Sequence, residues 1–183
     1  MTRFLTKADI RSLAEGLTIS EQVSVRKSAA ERSASGTTFL SHSSKDADLV
    51  AGSIRLLEGH GAIVYIDEID TSLPRYTNEE TAARLKDRIA QCRKFVLLAT
   101  DNSKESRWVP WELGFADGKK PSSSIAILPG SNATNDDTWG SWEYMGLYQK
   151  IVWGTFEGRE KDEFMVLNSK TNVGIPLEVW LKG

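Results

Sequence analysis

The sequence predicts an α/β domain in which a central parallel sheet of five strands is covered by helices on both faces. From residue 37 onward, short apolar runs alternate with amphipathic stretches, at roughly 25–35 residues per strand–helix unit. Such alternation requires right-handed crossover connections, which place helices on both sides of a parallel sheet. The run 94–100 is nearly all apolar, as expected of a strand that is buried on both faces.

The individual elements are assigned from hydrophobic periodicity and from helix-breaking residues. The strands are predicted at 37–40, 62–66, 94–100, 124–128 and 149–153. The helices are predicted at 45–58, 79–91, 106–116 and, near the end of the sequence, 176–181. In the first of these helices Leu49, Ile54 and Leu57 share one face. Gly59 and Gly61 then separate this helix from the second strand.

Residues 1–36 differ in pattern from residues 37–183, so we predict a helical extension followed by one domain. Thr6 with Asp9, and Thr18 with Glu21, have the spacing of helix-starting capping boxes. The run 33–36 is rich in small residues and is predicted to be a linker. We expect a solvated extension without chemistry of its own, and the alternative is a docking or self-association element.

Composition and charge are those of an ordinary globular chain. The 183 residues include 23 Lys and Arg against 25 Asp and Glu, so a general electrostatic attraction to nucleic acid is not expected. No apolar run is long enough to span a membrane and no signal-peptide core follows Met1, so we expect a cytoplasmic protein without a membrane partner. One cysteine and two histidines argue against a metal site built from such ligands.

Polar and aromatic residues follow the ends of the first three predicted strands. Ligands of parallel α/β sheets bind beyond the carboxyl ends of the strands, so the loops 41–46, 67–78 and 101–108 should lie together. Small hydroxyls and one cation in the first loop suit a phosphate, although a serine there also suits a helix cap. Trp108 and Glu112 lie one helical turn apart, so an aromatic plate and a carboxylate would face the same cleft.

Several other enzyme classes lack their sequence signatures here. No phosphate-binding loop of the G-x-x-x-x-G-K-[ST] type is present, and no G-x-G-x-x-G follows a strand. Ser41 and His42 directly follow the first predicted strand, and neighbours in an extended backbone point to opposite faces, which argues against a Ser–His hydrolase. A response-regulator receiver would have a single Asp at the end of the third strand and a Lys later in the sequence. This chain lacks both features.

Three segments resemble the TIR (Toll/interleukin-1 receptor) domains, in particular those of bacteria. They are Phe-Leu-Ser-His-Ser-Ser-Lys-Asp at 39–46, Val-Tyr-Ile-Asp at 64–67, and Trp108-x-x-x-Glu112 followed by leucine. Their order and spacing also fit, and the resemblance covers residues 37–153. It implies a flavodoxin-like three-layer fold, in agreement with the architecture reached from periodicity.

The resemblance implies that Glu112 is the catalytic glutamate of a domain that cleaves NAD⁺ at the nicotinamide–ribose bond. Trp108 would then stack or shape the pocket, and Asp67 would lie at its rim. The residues expected to face the ribose or the phosphates are Phe39, Ser41, Ser43, Ser44 and Lys45. NAD⁺ would be the substrate, and the chemistry requires no metal, thiol or further cofactor.

The resemblance also implies a biological setting and partners. A stand-alone bacterial TIR protein is similar to those of Thoeris-type anti-phage defence, in which a product such as cyclic ADP-ribose activates a separate effector protein. The product is ADP-ribose, a cyclic isomer or a conjugate, and assembly as a homo-oligomer is expected. Two alternatives stay open, a non-catalytic TIR scaffold that acts through protein–protein contacts and a nucleoside deoxyribosyltransferase-like enzyme.

Two segments depart from the family pattern. The loop 67–78 lacks the Arg-Asp-x-x-Pro-Gly sequence of animal signalling TIR domains, which weakens a prediction of assembly through that loop. Four aromatic residues crowd the segment before the fifth strand: Trp139, Trp142, Tyr144 and Tyr148. We expect a small satellite core there, and the alternative is a partner surface or a wall of the pocket.

Overall fold

Five parallel strands form the centre of the sheet, as the alternating pattern predicts. The computed structural model describes residues 2–67, 79–134 and 145–183. The parallel strands are β2 (Thr38–Ser41), β3 (Val64–Tyr65), β4 (Lys94–Ala99), β5 (Ile125–Ser131) and β6 (Gln149–Thr155). They lie in the order β3-β2-β4-β5-β6, which is the flavodoxin-like order with its switch point between β2 and β4. The α/β fold class is therefore confirmed.

Two further strands extend the sheet beyond β6 and were not predicted. They are β7 (Asp162–Asn168) and β8 (Val173–Pro176), and both pairings, β6 with β7 and β7 with β8, are antiparallel. Gly158, at a φ of 79°, lies in the turn that leads from β6 into β7. Together with β1 (Leu5–Thr6), these strands extend the five predicted parallel strands to a sheet of eight in the described residues.

Seven α-helices are present in the described residues, and their buried faces follow the expected periodicity. They are α1 (Lys7–Ser12), α2 (Ile19–Glu31), α3 (Ala47–Gly59), α4 (Glu79–Gln91), α5 (Asp101–Glu105), α6 (Trp108–Lys119) and α7 (Leu177–Lys182). The helix α4 has the predicted bounds. The short helix α5 was not predicted, although Thr100 and Ser103 form a reciprocal capping box at its start.

Two apolar clusters lie on opposite faces of the sheet. Along β4, Val96 and Leu98 belong to one cluster, whereas Phe95 and Leu97 belong to the other. The first cluster is completed mainly by α3 and the second by α4 and α6. Because successive residues of a strand point to opposite faces, a strand covered on both sides must be apolar throughout, which explains the uninterrupted run in this segment.

The N-terminal segment is part of the sheet. Leu5 pairs in parallel with Gly130 at the end of β5, and Arg3 makes two backbone hydrogen bonds of 2.8 and 3.0 Å with Trp153 of β6. Ile10 of α1 is fully buried. The capping boxes at the starts of α1 and α2 are confirmed, but the expectation of a solvated extension is wrong for the first strand and helix. The division of the chain at residue 36 stays a prediction.

A close backbone approach attaches α1 to α3. A Cβ atom added at Gly52 would lie 1.9 Å from the carbonyl oxygen of Ile10, so only glycine fits at this position of α3. The nearby ion pair between Arg11 and Asp48 (2.7 Å) is half-exposed and adds little. The contact between these two helices therefore depends on the absence of a side chain.

An ion pair closes the free edge of β3. Arg32 at the end of α2 pairs with Glu58, and its guanidinium donates to the carbonyl oxygen of Val64 at 2.8 Å. The Glu58 carboxylate accepts a long 3.4 Å hydrogen bond from the Val64 amide. Both outward backbone groups of this edge residue thus have side-chain partners, which protects an edge strand against pairing with another chain.

Parts of two predicted segments lie outside the described residues. They are the loop after Asp67 and the aromatic residues Trp139, Trp142 and Tyr144. Tyr148, which follows the second of these segments, is buried against the cluster around α4 and α6. Among the described helices, none is both long and apolar enough to cross a membrane.

Candidate active site

The carboxylate of Glu112 lies buried at the carboxyl-terminal edge of the parallel sheet. Glu112 is one turn into α6, and only 5% of its surface is exposed. The hydroxyl of Ser41, the last residue of β2, donates a hydrogen bond to Glu112 Oε2. The crossover topology brings these residues together, because α6 follows β4 and packs back over its neighbour β2.

Burial changes the acidity of Glu112. Removal from water raises the pKa of this carboxyl from 4.5 to about 7. The hydrogen bond from Ser41 favours the ionised form and lowers the pKa, whereas the negative charge of Asp67 raises it. Near neutral pH, Glu112 therefore exists in both its protonated and ionised forms, which suits a group that stabilises a transient positive charge or moves a proton.

Asp67 lies beside Glu112 and has one oxygen without a hydrogen bond. The hydroxyl of Tyr65 donates to Asp67 Oδ1 at 3.4 Å. The other oxygen, Oδ2, is buried and has no hydrogen-bond partner among the residues that the structure describes. Burial, followed by the charge of Asp67, raises the pKa of Tyr65 to about 12, so the phenol stays a donor at neutral pH.

Trp108 begins α6, one turn before Glu112, as the spacing predicted. Its indole is partly buried against the core cluster of α4 and α6 and meets Trp111 edge to face, with ring centroids 5.3 Å apart. Trp111 in turn stacks on Phe115 at 6.0 Å. Sequence analysis missed this row of three aromatic rings along α6, although the spacing of Trp111 and Phe115 by four residues indicates a shared helix face.

Four other predicted site residues have different contacts. Phe39 is 1% exposed and stacks on Phe95 at 5.5 Å, so its ring belongs to the core. Ser43 accepts a hydrogen bond from the Lys45 amide and starts a short 3-10 turn, as the capping alternative anticipated, while Ser44 is exposed. The Lys45 ammonium pairs with Glu105 at 2.9 Å. Substrate contacts for these four residues stay a prediction.

A second buried carboxylate, missed from the sequence, joins two loops of the candidate site. Asp46 is 2% exposed and accepts hydrogen bonds from Thr100 Oγ1 and Asn102 Nδ2, both at 2.6 Å. These contacts tie the loop after β2 to the loop after β4. Within the described ranges, no group of three or more His, Cys, Asp or Glu side chains could hold a metal ion.

Fold and site together define a flavodoxin-like α/β domain with a buried glutamate at the carboxyl-terminal edge of its sheet. A family profile described as TIR domain matches residues 38–165. This match spans more than half of the chain, and the protein therefore belongs to the TIR domain family.

The sequence is similar to two named bacterial proteins. A Bacillus cereus (strain MSX-D12) protein, "Probable 3' cyclic ADP-D-ribose synthase ThsB'", is 38% identical over 134 residues. The match covers 72% of this chain and 68% of the length of that relative. A Cytobacillus dafuensis protein, "Putative cyclic ADP-D-ribose synthase TIR2", is 35% identical over 81 residues, covering 43% of this chain. The second match spans only 21% of that relative.

Proposed function

We propose that this protein cleaves NAD⁺ at the bond between nicotinamide and ribose and forms a cyclic ADP-ribose from the remainder. The observation that carries the proposal is the buried Glu112 carboxylate, one helical turn from Trp108, at the edge of the sheet where such folds bind ligands. The names of both relatives, each called a cyclic ADP-D-ribose synthase, agree with it.

The reaction requires stabilisation of a positively charged ribose. The bond from C1′ to the nicotinamide nitrogen breaks, its electron pair stays on the departing nicotinamide, and C1′ becomes oxocarbenium-like, as in glycoside cleavage. The ionised Glu112 stabilises this charge and orients the ribose hydroxyls. A nucleophilic atom of the same molecule then bonds to C1′ and closes a ring, with loss of a proton where a hydroxyl attacks, whereas attack by water and loss of a proton gives ADP-ribose.

The reaction has a defined cellular setting in this proposal. NAD⁺ is the substrate and the reaction needs no further cofactor. The protein acts in the bacterial cytoplasm as a homo-oligomer during anti-phage defence, and its product is read by a separate effector protein of the Thoeris type.

Incubation of the protein with NAD⁺, followed by chromatography with mass detection, tests the proposal. We expect release of nicotinamide together with a product whose mass is that of ADP-ribose less one water. Release of ADP-ribose alone would restrict the activity to hydrolysis. Consumption of deoxynucleosides with NAD⁺ left intact would identify a deoxyribosyltransferase-like enzyme. Survival of both substrates at high protein concentration and with a crowding agent would favour the scaffold alternative.

The pH dependence of NAD⁺ cleavage should follow the ionisation of Glu112. Because burial raises the pKa of this carboxyl to about 7, its ionised form prevails only above that pH. We therefore expect kcat/KM to level off above about pH 7 and to fall about tenfold per pH unit well below it. A rate profile measured from pH 5 to 9 checks this. A flat profile across pH 7 would contradict a role for the ionised carboxylate.

A further inference from the structure

Ser41 is buried and lies in a paired strand at the point where it meets Glu112. It is the last residue of β2 and is paired with Leu97 of the central strand β4. Its side chain is 1% exposed, so the hydroxyl has no contact with bulk water. The donor therefore comes from a strand that is paired with the central strand β4, while the acceptor comes from a helix that packs over the sheet.

The Ser41 hydroxyl engages one oxygen of the Glu112 carboxylate. The hydrogen bond reaches Oε2, and among the described residues no other donor contacts this carboxylate. Within the described residues, the second oxygen, Oε1, accepts no hydrogen bond. A hydrogen bond to one oxygen fixes the rotation of the carboxylate plane, which decides where the other oxygen points.

We propose that Ser41 is a positioning residue, which holds Glu112 Oε2 so that Oε1 faces the ribose of the substrate. The proposal rests on the proposed function and goes further in one respect. The sequence suggested that Ser41 touches the substrate itself, whereas the hydrogen bond to Glu112 assigns it to the support of the catalytic carboxylate.

Among the described residues, Ser41 is the group whose contact lowers the pKa of Glu112. Asp67, from the end of the second parallel strand, is negative and disfavours a second charge. Two cations of α4 lie over aromatic rings, with Arg88 over Tyr65 at 6.0 Å and Lys86 over Trp111 at 5.8 Å. On α5, Glu105 is paired with Lys45. The hydroxyl of Ser41 is therefore the contact that favours the ionised, oriented form of Glu112.

The variant Ser41→Ala tests the proposal by two independent measurements. The first is the titration of the Glu112 carboxyl by ¹³C NMR of glutamate-labelled protein, with the signal assigned by its loss in Glu112→Gln. We expect its midpoint to rise by about one pH unit, because a hydrogen bond to a charged group is lost. The second is NAD⁺ turnover at pH 7, where kcat should fall about tenfold with little change in KM.

Matched variants separate positioning from general damage. Ser53→Ala removes another buried serine hydroxyl, which donates to the Leu49 carbonyl at 3.0 Å within α3, and should change neither measurement. Ser41→Thr keeps the hydroxyl and should restore the midpoint, and Ser41→Cys keeps the volume if Ser41→Ala folds poorly. An unchanged Glu112 midpoint, or a kcat raised by Ser41→Ala, would overturn the proposal. The NMR titration needs no turnover, so it stands even if NAD⁺ is not the substrate.

Discussion

We expect Glu112→Gln to abolish NAD⁺ cleavage while the fold stays intact. Glutamine has nearly the same volume and can still accept the hydrogen bond from Ser41, so the only large change is the loss of the negative charge. Removal of a preorganised electrostatic group of this kind costs about 10²- to 10³-fold in rate. Nicotinamide release, followed by chromatography at pH 8, measures the loss.

The same substitution should stabilise the protein at alkaline pH. Because the pKa of Glu112 is raised from 4.5 to about 7 by burial, the folded state keeps a proton that the unfolded state has already lost. The free energy of unfolding of the wild type therefore decreases as pH rises through this window and is constant above it. Glutamine does not titrate, so the variant should gain about 3 kcal/mol over the wild type at pH 8. Urea denaturation at pH 5 and pH 8 measures the difference.

Glu157→Gln is the matched control, since Glu157 lies exposed in the turn between β6 and β7. It should keep both the activity and the pH dependence of stability of the wild type. Equal losses of stability and activity in Glu112→Gln would show instead that Glu112 has a structural role.

The second large effect is expected at Gly52, in the middle of α3. Gly52→Ala should lower the free energy of unfolding by about 3 kcal/mol, because the new Cβ would lie 1.9 Å from the Ile10 carbonyl oxygen and must displace α1. An exposed helical glycine normally gains stability on the same change, by about 0.5–1 kcal/mol. The two expectations are opposite in sign.

Gly59→Ala is the control within the same helix, because a Cβ there meets no heavy atom within 4 Å. Urea denaturation of both variants gives the stabilities, and limited proteolysis detects release of the N-terminal segment. We expect faster cleavage near α1 in Gly52→Ala alone. Equal stability of Gly52→Ala and wild type would contradict the close packing of α1 on α3.

The predicted elements that proved accurate are those with strong local patterns. The helix α4 was predictable from the spacing of Leu85 and Ile89 by four residues. The strand β4 was predictable because a short, continuous apolar run indicates a buried strand. The capping boxes at Thr6 and Thr18 were equally readable, because a cap involves residues three apart. In each case the information lies within a few residues of the element.

The elements that were missed depend on partners distant in sequence. The two-residue strand β1 is too short to have a sequence pattern of its own. It forms because the backbone at the end of β5 pairs with it, and the adjacent Arg3 pairs with Trp153 of β6. β7 alternates only weakly between buried and exposed residues, and its register is set by pairs such as Trp153 with Phe164. Short strands of this kind are specified by pairing more than by propensity.

The candidate site divides in the same way. The distance of one turn between Trp108 and Glu112 is a local property of α6 and was predictable. The hydrogen bond from Ser41 to Glu112 joins residues 71 apart, and the hydrogen bonds that Asp46 accepts from Thr100 and Asn102 join residues 54 and 56 apart. No spacing rule identifies such pairs, and none indicates that the ring of Phe39, a predicted pocket residue, is 1% exposed.

The sequence by itself determined the class of fold and the succession of strands and helices along the chain, because these follow from hydrophobic periodicity. It also placed Trp108 and Glu112 on one helix face, while the catalytic role predicted for Glu112 came from the family resemblance. Only the tertiary structure decided that the N-terminal segment joins the sheet, that Glu112 is buried enough for its pKa to rise to about 7, and that Ser41 holds it. Burial and long-range hydrogen bonds depend on residues that are distant in sequence, and only the folded structure brings such residues together.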